Sequence, residues 1–205
     1  VMSGAGRTGR YLGGDHWNCR PDIVALSKGL GAGYCPLGAM IAHSRLVRPV
    51  LDRGGFAHGY TYAGNPLACA AGLAVLDEIE RLNLLGNAAR IGEAMKAELE
   101  GLAQRYPFIG DVRGKGLLLA AEFVSDRQTM APLPKALDAY QRVVDIAYER
   151  GLIIYSRRTR GGVEGDHFLV CPPMITTQEQ VGEIVAILDA TLAQLAGELS
   201  LPVLG

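Results

Sequence analysis

The chain has 205 residues, 49% of them hydrophobic, and a formal net charge of −1. That length suits one large or two small domains, and the composition excludes a disordered chain. The near-zero charge gives no global basic field for nucleic acid, and no apolar run reaches membrane-spanning length. Four cysteines (Cys19, Cys35, Cys69, Cys171) and four histidines (His16, His43, His58, His167) are scattered without metal-ligand spacing. Free thiols in a reducing cytoplasm are the simplest expectation.

In chain order, a glycine-rich turn, Gly4-Ala5-Gly6-Arg7-Thr8-Gly9, comes first. Val24–Leu26 and Gly38–Ala42 read as short buried strands of a mostly parallel sheet. Between them lies Ser27-Lys28-Gly29-Leu30-Gly31. A strand that stops there presents the Lys28 amine at a sheet edge, on backbone free to turn sharply. Apolar neighbours disfavour the charged amine, and a neutral lysine is the nucleophile that Schiff-base chemistry needs. Alone, the same segment reads first as a strand-end lysine pointing into water, because exposed lysine is the default. Ser44 is placed to cap a short helix through Val50.

Thr61 lies in His58-Gly59-Tyr60-Thr61-Tyr62-Ala63-Gly64-Asn65-Pro66, ahead of an Ala-rich helix over Leu67–Leu82. Asn65 reads as the N-cap and Pro66 as the first helical residue. A helix start of this kind holds phosphate through its backbone N–H groups and dipole, and Thr61 adds a hydroxyl. An ordinary capped helix accounts for the pattern too. Tyr60 and Tyr62 fit the wall of a cleft or a subunit contact. A second helix carries Ala88, Ile91, Met95, Leu99 and Leu102 at helical spacing. Tyr106-Pro107 ends it and sets the expected boundary between domains 1–106 and 107–205.

Beyond that boundary, Ile109–Val112, Leu117–Val124, Leu152–Tyr155 and Phe168–Val170 read as strands, with Gly114 and Gly116 bending the chain between the first two. Leu137, Tyr140, Val144, Ala147 and Tyr148 read as one helical face. Val181, Ile184, Val185, Leu188, Leu192 and Leu195 form a last helix, opened by a Thr177/Gln180 capping box. The mixture predicts a small α+β domain. Arg157, Arg158 and Arg160 fall in a Gly-flanked stretch, Ser156 to Gly165, read as a basic loop. Such a loop is either solvated surface or the source of a carboxylate-binding guanidinium.

Taken together, these segments resemble the class III (ω-) aminotransferases. The resemblance rests on the Gly4–Gly9 turn, Pro21–Leu30, Pro36-Leu37-Gly38-Ala39, Thr61–Ala68, Asp111–Leu117 and Gly165-Asp166-His167 through Pro172-Pro173, in register from Val1 to about Leu195. It implies pyridoxal-phosphate (PLP) enzymes of fold type I. The chain then supplies the C-terminal part of the large cofactor domain, an α/β layer with a mostly parallel sheet, followed by a small C-terminal α+β domain.

The resemblance further implies that Lys28 holds PLP and that Thr61 binds the cofactor phosphate of a neighbouring subunit in a homodimer. It implies an arginine near Arg157, Arg158 and Arg160 for a substrate carboxylate. Some relatives place an arginine directly before the Pro-Pro; here Val170-Cys171 stand there, which favours pyruvate-linked enzymes over ornithine-type ones. The family's Asp-Glu pair, whose aspartate meets the pyridine nitrogen, normally precedes Val1 and is absent. The chain is therefore expected to be the C-terminal half of a longer enzyme and inactive alone. The expected activity of the whole is transfer of an amino group between a primary amine or ω-amino acid and an α-keto acid such as pyruvate. An aminomutase, racemase or decarboxylating enzyme of the same fold, and a non-catalytic fragment, are the alternatives.

Overall fold

The computed structural model describes residues 1–204. It divides into two compact units, Val1–Gly86 and Asn87–Gly205.

The first unit opens with consecutive turns. Gly9 N–H donates to Gly6 O at 2.9 Å, and a 3-10 turn follows over Gly13–Trp17. Strand β1 (Ile23–Leu26) pairs with β2 (Ala39–Ala42), with Ile23 opposite Ala42 and Leu26 opposite Ala39. The pair is antiparallel, not parallel as expected. Residues 27–38 contain only a 3-10 turn, Lys28–Leu30, and parallel neighbours need a crossover that usually includes a helix. Helix α1 spans Ser44–Leu51. Its cap is His43 rather than Ser44, because the His43 ring nitrogen accepts from Arg45 N–H at 3.2 Å. Helix α2 (Pro66–Arg81) starts as the sequence dictates: Asn65 Oδ1 accepts from Ala68 N–H at 3.1 Å, and Pro66 occupies the first turn, where its missing N–H does no harm. Ala68, Gly72 and Ile79 form its buried side.

The second unit holds a long helix, α3 (Leu84–Arg105), almost entirely. Four antiparallel strands follow in spatial order β3-β4-β7-β6: β3 (Ile109–Lys115), β4 (Leu118–Asp126), β6 (Tyr155–Thr159) and β7 (Glu164–Val170). A two-residue strand, β5 (Ala131–Pro132), pairs with β4. Helices α4 (Ala139–Glu149) and α5 (Gln178–Leu199) complete it. Every strand pair in the chain's described residues is antiparallel.

One core serves this unit. Alternate residues of β4, Leu119, Ala121 and Phe123, are buried with Phe168 and Val170 of β7 and with the stripes of α3 and α5. Tyr106, Phe108, Phe123 and Phe168 run through it with successive ring centroids 5.6, 5.9 and 5.5 Å apart. Each large side chain buried here contributes roughly 1.5–3 kcal/mol relative to exposure. Helix α3 comes close to the β3–β4 turn at Gly92, where a Cβ would lie 2.3 Å from the Gly116 carbonyl carbon.

The predicted stripe Ala88, Ile91, Met95, Leu99, Leu102 is buried throughout. It is buried in the core of the second unit, which by contacts begins at Asn87. The α4 face is rotated from the one predicted: Ala139, Val143, Ile146 and Ala147 are buried, whereas Tyr148 is exposed. Thr177 and Gln180 form the predicted capping box, with bonds of 3.0 and 3.3 Å.

Candidate active site

Strand β1 ends at Leu26, whose side chain is buried. Ser27 is extended, and Lys28 then enters the left-handed region at φ 51°. A residue with a Cβ adopts that conformation at a cost of about 1–2 kcal/mol, and such positions concentrate where function requires them. The turn is closed by Leu30 N–H to Ser27 O (3.2 Å) and Gly31 N–H to Lys28 O (3.1 Å). Leu30 is buried beneath it, while Lys28 is exposed and its amine has no carboxylate partner among the described residues.

Thr61 sits in the turn before α2. Ala63 N–H donates to Tyr60 O at 2.9 Å and Asn65 N–H to Tyr62 O at 3.0 Å. Its side chain is exposed, and its hydroxyl makes no hydrogen bond among the described residues. Tyr60 and Tyr62 on either side are about four-fifths exposed, at 79% and 81%. Helix α2 touches the lysine turn: a Cβ on Gly72 would lie 2.5 Å from Leu37 Cδ2 and 3.8 Å from Leu30 O. The N-terminal unit thus carries an unpaired amine on a strained turn and an unpaired hydroxyl at a helix start. The amine suits a carbonyl carbon, and the hydroxyl near a helix N-terminus suits a phosphate; these are the two groups of a phosphorylated aldehyde.

The three arginines expected in a loop lie on or beside a strand. Tyr155–Thr159 forms β6, so the regular structure starts at the last residue of the expected strand and runs into the basic stretch. Arg158 points inward, its side chain only 7% exposed against 5% for Asp166. Its Nε donates to Asp166 Oδ1 at 2.6 Å and its Nη2 to Asp166 Oδ2 at 2.9 Å and to Lys135 O at 3.2 Å. Asp138 approaches at 3.4 Å, and the Tyr140 ring stacks 4.7 Å from the guanidinium carbon. Arg160 pairs with Glu164 across a left-handed turn. Arg157 points the other way, is exposed, faces His167 in register, and has no ion-pair partner among the described residues.

Asp166 was not singled out from the sequence. Besides holding Arg158, its Oδ2 accepts from Tyr140 N–H at 3.3 Å, satisfying the start of α4 where Asp138 makes no side-chain cap. The signal was available: alternation along β7 puts Asp166 on the same inward face as Phe168 and Val170, and a carboxylate there requires a cation. Among the described residues, no group of three His, Cys, Asp or Glu side chains is placed to hold a metal, and no helix is long and apolar enough to cross a membrane.

The chain matches the model of the class-III aminotransferases over residues 1–192, and it belongs to that family. It is 38% identical over 97% of its length to an uncharacterized aminotransferase of Sinorhizobium fredii. It is 35% identical over 92% of its length to a taurine–pyruvate aminotransferase of Bilophila wadsworthia. Among solved structures, it is similar to an amine transaminase from an uncultivated Pseudomonas species in its PLP-bound, internal aldimine form, with a TM-score of 0.85 and 40% identity over 95% of the chain. The chain spans 42% of each of those two relatives and 43% of that structure.

Proposed function

We propose that the longer enzyme to which this chain corresponds transfers an amino group between a primary amine or ω-amino acid and an α-keto acid such as pyruvate, with PLP as cofactor. The observation that carries the reading is Lys28: a left-handed, unpaired lysine in the turn that follows a strand, in a member of the class-III aminotransferases. When bound, the cofactor acts as an electron sink for the bond broken at the substrate carbon. Lys28 Nζ is the covalent anchor for that cofactor. Once released by substrate, the same nitrogen would take the proton from the substrate carbon and deliver it to the carbon of the cofactor's former aldehyde, serving as base and then acid.

Thr61 Oγ1 donates a hydrogen bond to the cofactor phosphate, supported by the positive end of α2. In this reading Thr61 serves the cofactor of the neighbouring subunit, so the site is completed in a homodimer. Arg157 takes the substrate carboxylate. Arg158 is committed to Asp166, and Arg160 to Glu164, which leaves Arg157 as the guanidinium with free donors on this hairpin. The substrates are small amines and keto acids; nucleic acid and membrane have no part in the reading. Cysteines that form no disulfide among the described residues fit a cytoplasmic enzyme.

Substitution of the lysine tests the activity. Lys28→Ala in the full-length enzyme leaves the circular dichroism and oligomeric state intact and abolishes transamination. Retention of wild-type turnover by that variant refutes the reading.

A further inference from the structure

Lys28 is not held in its left-handed conformation by any bond to its own side chain among the described residues. Its backbone is set by the two hydrogen bonds that close the turn and by the packing of the next residue. Gly29 lies against the N-terminal glycine-rich turn: a Cβ on Gly29 would lie 3.0 Å from Ala5 Cβ and 3.8 Å from Gly4 O. Gly29 itself is not left-handed, so its backbone tolerates a side chain and only the space is missing.

Ala5 is unusual. It is 2% exposed and has a φ of 54°, between Gly4 and Gly6. A glycine would adopt that backbone without strain. The strained alanine contributes one methyl group, and that methyl fills the space beneath Gly29. Gly4 is tight as well, with a Cβ there 3.1 Å from Leu26 Cδ2 at the end of β1. The turn therefore has a close-packed floor on the side of residues 4–6, and a gap of one methyl would let Lys28 relax toward an ordinary φ.

We propose that Ala5 is a positioning residue for the Lys28 amine: its methyl seats Gly29 and so holds the lysine in the conformation that carries the cofactor. The inference rests on Lys28 being the cofactor lysine. It makes the methyl between residues 5 and 29 a shared quantity. Removing it loosens the turn, doubling it overfills the turn, and moving it from one residue to the other conserves the volume.

The test is a methyl swap in the full-length holoenzyme. The fraction of bound PLP that is covalently attached is read by borohydride reduction and peptide mass mapping, beside the thermal unfolding midpoint. Ala5→Gly and Gly29→Ala are each expected to lower the equilibrium constant for attachment to Lys28 roughly tenfold, the usual effect of one methyl too few or too many in a packed site. The double variant A5G/G29A is expected to return to within about twofold of wild type, because volume-conserving exchanges are tolerated best. Should G29A fail to fold, A5G against A5G/G29A decides, with the added methyl raising attachment. A merely structural methyl would change the unfolding midpoint and leave the attached fraction at the wild-type value; that result, or a double variant no better than A5G, overturns the proposal. Attachment in wild type to another lysine overturns the cofactor assignment and the proposal with it, whereas normal wild-type attachment with unaffected variants overturns the proposal alone.

Discussion

The Tyr106 hydroxyl donates to Asp189 Oδ1 at 2.6 Å, tying the residue that follows α3 to the middle of α5. The Asp189 carboxylate is also gripped by Arg105 Nη1, at 2.8 and 2.7 Å. The Tyr106 ring is fully buried, and burial, aided by the bond to Asp189, pushes its hydroxyl up to about 12 from an ordinary 10.0.

Tyr106→Phe is therefore expected to destabilise the C-terminal unit by about 1.5 kcal/mol, the low end for a hydrogen bond to a charged group. The pH dependence has a definite sign. The folded state favours the neutral phenol, so the contribution is complete below about pH 10 and is lost as pH rises through about 12. The advantage of wild type over Tyr106→Phe in denaturant unfolding should be constant below about pH 10 and fall as pH rises toward about 12. A constant difference across that range would contradict the assignment.

The buried Arg158–Asp166 pair makes a second demand. Asp166→Ala leaves the Arg158 charge with only the longer contact to Asp138 and removes the acceptor at the start of α4, and is expected to destabilise by about 3 kcal/mol. Replacing both together, as Arg158→Met with Asp166→Leu, should recover most of that loss, since no unpaired charge remains. A double variant as unstable as Asp166→Ala would show that the pair is not the source of the effect.

Much of this architecture is legible in the sequence where the signal is local. Asn65-Pro66, the Thr177/Gln180 box and the α3 stripe need only neighbours within one or two turns, and all three form as read. What fails depends on distant partners. The antiparallel pairing of β1 with β2 is set by what the connection between them lacks, not by the strands' own composition. Arg157, Arg158 and Arg160 read as a charge run, although alternation on β6 turns Arg158 inward to a carboxylate eight residues on. Tyr106-Pro107 does end a helix, and the α3 stripe before it packs in one core with the strands that follow. At the site, Lys28 and Thr61 stand out by sequence. The left-handed backbone of Lys28 and the closeness of Gly29 to Ala5 are visible only in three dimensions.

Thr61 carries the prediction for the phosphate. Thr61→Ala in the full-length dimer should raise the PLP dissociation constant by roughly one to two decades, the loss of one hydrogen bond to a charged group, and Thr61→Ser should be much milder. Mixed dimers of Lys28→Ala and Thr61→Ala subunits report which subunit supplies the hydroxyl. The Lys28-bearing site borrows Thr61 from the Lys28→Ala partner and should bind PLP with wild-type affinity. Binding as weak as in the Thr61→Ala homodimer would place the threonine within its own subunit.

Arg157 separates from its neighbours by kinetics. Arg157→Ala should raise KM for the keto acid by roughly ten- to a hundredfold, with a smaller effect on an amine donor that has no carboxylate. Arg160→Ala, which removes an exposed pair with Glu164, should leave both values near wild type. Equal effects of the two substitutions would remove the reason for choosing Arg157.

The central claim is that Lys28 is the residue that anchors the cofactor, and covalent trapping tests it most directly. Full-length enzyme loaded with PLP is reduced with borohydride, digested and mapped by mass spectrometry. The account predicts one pyridoxyl group per subunit, on Lys28 in the peptide that follows β1, and none in Lys28→Ala. A pyridoxyl group on Lys96, Lys115, Lys135 or any other lysine, or undiminished labelling of Lys28→Ala, would contradict it.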